Sequence, residues 1–145
     1  MRLKRGQQNK TSDRINKMLD FFHSRIRSFK YAFQGWWYVI RTQRNAWLHA
    51  LASIIVIGLS IWLKLERLEW VLIVIAIAFV WTAEFFNTAL EAIVDLATKE
   101  NHPLARVGKD VGAAAVLIAS LTAAVIGIMI LGPALLEKIR SLNWF

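Results

Sequence analysis

The stretch WVLIVIAIAFVWTAEFFNTALEAIVD, residues 70–95, decides the fold. Its first half is an almost unbroken apolar run. Its second half carries Glu84, Asn87, Thr88, Glu91 and Asp95. A helix rising ~1.5 Å per residue crosses a bilayer with about 20 apolar residues. The segment therefore reads as a membrane span with carboxylates built into it. A carboxylate near mid-bilayer costs about 3 kcal/mol on insertion scales, so where these groups point matters. With Glu84 set at 0° on a helix, Asn87, Thr88, Glu91 and Asp95 fall at about −60°, +40°, −20° and +20°. All five share one stripe, which can face a bundle interior or a polar cleft. The stripe is graded in depth. Asp95 lies ~16 Å from Glu84 along the axis, so Glu84 is deepest and Asp95 is nearest the surface.

Two further apolar segments flank this one: AWLHALASIIVIGLSIWL, residues 46–63, and VGAAAVLIASLTAAVIGIMILGPALL, residues 111–136. With 70–97 they make three spans. KLERLE, residues 64–69, joins the first two as a polar hairpin. TKENHPLARVGKD, residues 98–110, joins the second and third, with Pro103 and Gly108 as breakers. No strand alternation competes, so the spacing predicts an all-α membrane protein.

Composition agrees. The 145-residue chain is 57% hydrophobic, well above the share in soluble domains, and its length suits one domain. Without cysteine there is neither a disulfide framework nor a thiolate metal site. The net charge of +8 is unevenly spread: residues 1–45 hold 11 Lys/Arg against Asp13 and Asp20. By the positive-inside rule the N-terminus is cytoplasmic, which puts residues 98–110 inside as well. The basic start is too long for a cleavable signal.

Residues 13–45 read as a basic amphipathic surface helix. Ile15, Met18, Leu19, Phe22, Ile26, Phe29, Phe33, Trp36, Trp37 and Ile40 fall within about 60° of one line. Arg25, Arg27, Lys30 and Arg41 are interspersed, as in helices lying at a headgroup surface. Residues 1–12 read as a disordered basic tail, 46–136 as the three-span core and 137–145 as a short tail. No nucleic acid is expected as a partner.

The carboxylate stripe suits particular chemistry. Carboxylates one or two turns apart can hold Mg²⁺, a hard cation that prefers oxygen ligands. A deeper carboxylate can serve as general base toward a hydroxyl delivered from the lipid. Lys109 beside Asp110, with His102 and Arg106 upstream, suits a polyphosphate. From residue types alone, a structural polar seam or a proton or cation path fits equally well.

EFFNTALEAIVD followed by ENHPLARVGKDVGAAAVL resembles the bacterial membrane diacylglycerol kinase family, which includes the undecaprenol kinases. The family pattern is Glu-x-x-Asn-Ser/Thr-Ala-x-Glu-x-x-Val-Asp, then a loop with His, then Lys-Asp before the third span. Glu84, Asn87, Thr88, Ala89, Glu91, Val94, Asp95, His102, Lys109 and Asp110 fit it. FKYAFQGWWYVIRTQRN, residues 29–45, resembles the family's surface helix.

The resemblance implies a Mg²⁺-dependent kinase of the bacterial inner membrane. It would move the γ-phosphate of ATP to a lipid alcohol, diacylglycerol or undecaprenol, as a homotrimer with shared sites. It gives Glu84 as catalytic base and Glu91 as Mg²⁺ ligand. Tyr31, Glu100, Asn101, His102, Lys109 and Asp110 come with it as nucleotide-contacting residues. Arg25, Asn87 and Asp95 shape the site. One position departs from the pattern: Gln43 stands where the family places a second metal-binding glutamate. Its amide oxygen can ligate Mg²⁺ and contact ATP but brings no charge. The rival reading is a non-catalytic relative acting as an oligomeric scaffold or channel.

The remaining features read as structure. Ala119, Ala123 and Gly127 recur every four residues, a spacing that permits close helix packing. Gly132-Pro133 is expected to kink or end the third span. His49 reads as a packed polar residue.

Overall fold

A computed structural model describes the backbone of residues 2–142 and the side chains of residues 17–142. Among the described residues there are four helices and no strand: α1, Arg2–Thr42; α2, Arg44–Leu63; α3, Arg67–Ala97; and α4, Pro103–Leu142. Helices α2, α3 and α4, of 20, 31 and 40 residues, are long and apolar enough to cross a membrane. The all-α reading with three spans therefore stands, and all three helices outrun the ranges read from sequence.

The chain divides into two units, residues 1–38 and 39–145. In the first, α1 presents Phe22, Ile26, Phe29, Tyr31, Phe33, Trp36 and Trp37 as exposed side chains. The Arg25 guanidinium lies 4.8 Å from the centre of the Phe21 ring. Helical backbone extends across residue 12, where the sequence reading ends a tail, and stops at Thr42 rather than 45. Side chains before Lys17, including those of Arg14 and Ile15, lie outside the described residues.

The second unit begins with the last turn of α1. Gln43 is extended (φ −100°, ψ 116°), and its N–H is 2.9 Å from the Val39 carbonyl it donates to. One residue thus ends α1 and starts α2. Val39, Ala46 and Trp81 form a buried cluster, with Ile40, Ala50, Ile77 and Phe85 packed on it. The Trp81 Nε1–H reaches Ser53 Oγ at 3.3 Å, tying α3 to α2.

The hairpin between α2 and α3 is shorter than KLERLE suggests. Lys64 adopts the left-handed conformation (φ 57°, ψ 50°), and its N–H and that of Leu65 close the last turn of α2 on Ile61 and Ser60. Glu66 and Glu69 then form a reciprocal capping box that opens α3 at Arg67.

The connection after α3 is also shorter than residues 98–110. Only residues 98–102 are non-helical. Pro103 does not break a helix but begins one, at the first-turn position where a missing N–H is harmless. His102 Nδ1 accepts the Leu104 N–H at 3.2 Å, capping the new helix. Gly108 lies within α4, with room for a Cβ at ordinary contact distance from Val94. Gly132-Pro133 does not end the span, because α4 runs through Pro133 to Leu142.

α3 packs chiefly on α4. The two helices come close at Gly112, where a Cβ would meet the Asn87 side-chain oxygen and that side chain would have to shift. Outward-facing Ile54, Val74, Leu121, Ile128 and Met129 remain exposed, as suits a lipid-facing surface.

Candidate active site

Because α3 is unbroken from Arg67 to Ala97, its polar residues hold the register that the helical spacing dictates. Burial falls along the stripe: Glu84, Asn87 and Thr88 are buried, Glu91 is partly buried and Asp95 is exposed. Thr88 Oγ1 donates to the Glu84 carbonyl at 2.9 Å, which leaves the Glu84 carboxylate to other partners.

Glu91 is held from two directions. Gln43 Nε2 donates to one carboxylate oxygen at 2.9 Å, and Asn87 Nδ2 donates to the other at 3.1 Å. Each oxygen keeps a lone pair free. The Asn87 side-chain oxygen is buried and has no hydrogen-bond partner among the described residues. Among the described residues, no three His, Cys, Asp or Glu side chains gather closely enough to hold a metal alone. A hard cation here would have the Glu91 carboxylate to draw on, since the amides of Gln43 and Asn87 present nitrogen to it.

Seven residues toward the other end of α3, the Glu84 carboxylate is 1% exposed. Neither of its oxygens has a hydrogen-bond partner among the described residues. The nearest ionisable group across the helix interface is His49 on α2, whose Nε2 is 3.8 Å from Glu84 Oε2. The His49 and Trp81 rings meet edge to face at 6.5 Å. Sequence alone gave no sign of this pairing, since a lone histidine in an apolar span has no partner at helical spacing.

At the other end of the stripe, Asp95 is ion-paired with Lys109 across the α3–α4 junction. Arg106 and Asp110 pair one turn apart on α4 at 3.8 Å. Asp95, Glu100, Asn101, His102, Arg106, Lys109 and Asp110 all line one open cleft of about 1360 Å³. The cleft is rich in charge of both signs, a surface able to receive a polar anionic molecule. The structure thus gathers these residues at one end and Gln43, Asn87 and Glu91 in the middle, with Glu84 deepest. Arg25 and Tyr31 belong to the other unit, on α1.

The chain is similar to known proteins over most of its length. The prokaryotic diacylglycerol kinase family profile matches residues 30–131. An undecaprenol kinase of Bacillus subtilis is 36% identical over 125 residues, covering 86% of this chain and 98% of that protein. A diacylglycerol kinase of Synechocystis is 38% identical over 111 residues, covering 76% of this chain and 63% of that protein. A diacylglycerol kinase of Escherichia coli K12 is 33% identical over 89 residues, 57% of this chain. With a family profile matching residues 30–131 and a relative 36% identical over 86% of its length, the chain belongs to the prokaryotic diacylglycerol kinase family.

Proposed function

We propose that the chain is a membrane lipid kinase that transfers the γ-phosphate of ATP to the hydroxyl of a lipid alcohol. The observation that carries this reading is the order of groups along α3. A buried carboxylate, Glu84, is followed by an amide-held carboxylate, Glu91, and then by the cleft containing Lys109. A lipid hydroxyl can enter from the apolar side and a triphosphate from the polar side, meeting between Glu84 and Glu91.

The roles follow from chemistry. Lys109 offers an ammonium to phosphate oxygens, and the cleft residues Glu100, Asn101, His102 and Asp110 surround the nucleotide. Gln43 and Asn87 fix the orientation of Glu91. Glu84 supplies the carboxylate that drives deprotonation of the hydroxyl. Tyr31 as a nucleotide contact and Arg25 as a site-shaping residue rest on the family resemblance alone. Most of the rate enhancement comes from positioning and charge compensation.

The donor set fits Mg²⁺ of the kind that binds through one carboxylate and keeps its other positions for water and phosphate. Glu91 would hold it, and Gln43 would add its amide oxygen by turning over the amide that presents nitrogen to Glu91. When bound, such an ion neutralises charge on the transferring phosphoryl group.

The undecaprenol kinase matched along nearly its whole length favours a polyprenol as the alcohol, with diacylglycerol second. The basic N-terminal region favours an inner-membrane protein with its N-terminus and residues 98–102 on the cytoplasmic side. A homotrimer with shared sites is what the family resemblance implies, and the small-residue spacing in α4 permits close helix packing of that kind. Purified protein in bilayers, given labelled ATP, Mg²⁺ and either undecaprenol or diacylglycerol, should label one lipid. Absence of label on both would refute the kinase reading.

A further inference from the structure

Helix α1 carries an exposed face that its own unit leaves uncovered. Over residues 17–30, Met18, Leu19, Phe22, Ile26 and Phe29 are 50–68% exposed. With Phe22 set at 0° on the helix, the other four fall at about −40°, +60°, +40° and −20°. Arg25 and Lys30 border this stripe at about −60° and +80°, and Lys17 and Arg27 stand farther round at about −140° and +140°. The four cations face Asp20 alone, a net of +3. The Arg25 guanidinium rests over the Phe21 ring, which keeps its charge at the edge of the apolar stripe. On the far side of the helix the hydroxyls are satisfied locally. Ser24 Oγ donates to the Phe21 carbonyl at 2.7 Å, and Ser28 Oγ to the Ser24 carbonyl at 3.0 Å. Residues 17–29 also lie ahead of the family profile, whose match begins at residue 30.

We propose that residues 17–30 dock on anionic phospholipid headgroups, and that negative charge in the leaflet decides whether they dock. The inference goes beyond the lipid-kinase reading and does not depend on it. A partner for this face must offer an apolar layer to Phe22, Ile26 and Phe29 and negative charge along both edges of the stripe. A nucleic acid supplies the charge without the layer. A neutral leaflet supplies the layer without the charge. An anionic leaflet supplies both in the order in which the helix presents them, acyl chains under the stripe and phosphates beside it. Arg25 and Lys30 can lay their stems along apolar surface and still reach those phosphates. With Lys17, Asp20, His23, Ser24 and Arg27 on its other faces, the stretch has low net hydrophobicity. That is the composition of helices whose surface binding follows lipid charge. Each basic side chain near such a surface strengthens docking about fivefold.

The chain has no cysteine, so M18C gives a single attachment point for an environment-sensitive dye on the stripe. The labelled full chain is reconstituted in vesicles of phosphatidylcholine alone, or of phosphatidylcholine with about 30% phosphatidylglycerol. In the mixed vesicles the dye should report an apolar setting. In phosphatidylcholine alone, or in mixed vesicles at about 1 M NaCl, it should report water. R25Q/K30Q should move the docked-to-free ratio about 10–30-fold toward free in the mixed vesicles, with helix content by circular dichroism unchanged. Should that variant lose helix content, the lipid and salt comparisons on the labelled chain decide alone. The same apolar signal in both vesicles, indifferent to salt, would overturn the proposal, because apolar contact alone would then seat the helix. An aqueous signal in both would also overturn it. So would an apolar signal that follows protein density in the vesicle rather than lipid charge, which would assign the face to a second copy of the chain.

Discussion

Gln43 Nε2 and Glu91 Oε2 are 2.9 Å apart, although 48 positions separate them in the chain. The bond joins the residue where α1 gives way to α2 with the middle of the polar stripe on α3. Glutamate at position 43 would replace an N–H donor with a second carboxylate. Without metal, two carboxylates at this separation repel, so Q43E should lose about 1–3 kcal/mol of stability in EDTA. With Mg²⁺ the added charge should lower the half-saturating metal concentration. Thermal unfolding with and without Mg²⁺ checks both. An identical midpoint in EDTA and unchanged Mg²⁺ dependence would take Gln43 out of the site.

Replacing Glu84 by glutamine keeps its shape and removes its charge. Turnover should fall by about 10²–10⁴-fold, the range for loss of an acid–base group. Stability should hold or rise, because an uncompensated buried charge is gone. Parent-rate lipid labelling by E84Q would exclude the carboxylate from the chemistry.

Gly112 admits Asn87 where a Cβ would force that side chain to shift, whereas Gly58 has open space around it. G112A should therefore cost about 1–3 kcal/mol through overpacking. Because Asn87 also holds Glu91, its activity should fall too. G58A, in the interior of α2, should be neutral or stabilising by about 0.5–1 kcal/mol. Unfolding midpoints of the two variants, measured side by side, decide the point. If G112A and G58A behave alike, the close approach of α3 and α4 is not real.

The Lys109–Asp95 pair is largely solvent-exposed, so it should contribute only about 0–1 kcal/mol to stability. K109A should leave the unfolding midpoint nearly unchanged yet raise KM for ATP about 10–100-fold, as when a charged hydrogen-bond donor is lost. D95N should do less, since it leaves the ammonium in place. Initial rates across an ATP series measure both. A K109A enzyme with the parent KM would mean that the nucleotide phosphates bind elsewhere.

Lys64 holds a left-handed turn that a side chain disfavours. K64G should raise stability by about 0.5–1 kcal/mol, the relief of strain outweighing the added freedom of the unfolded chain. Kinetics should be unaffected, because this turn lies at the opposite end of α3 from the Lys109 cleft. A lower unfolding midpoint would show that the lysine side chain has a role of its own.

Much of this was legible in the sequence because helical periodicity is local. The register of Glu84, Asn87, Glu91 and Asp95 follows from spacing, as do three spans from hydropathy. Pro103 misled because proline punctuates in two ways: it stops a helix already running and suits the first turn of a new one. At Pro133 the sequence left a kink or an end open, and the helix continues, since a long apolar helix in a membrane tolerates a proline that would end a short soluble one. The Gln43–Glu91 bond and the His49–Glu84 approach were invisible. Each depends on how α2 lies against α3, and no spacing rule within one helix reports that.

A single extended residue between α1 and α2 has a further effect. Gln43 is fixed to α2 by the chain and to Glu91 by its amide. When a thicker or thinner bilayer changes the tilt of a span, the pull on that amide changes with it. Acyl-chain length in the host membrane thus becomes a mechanical input to the orientation of Glu91.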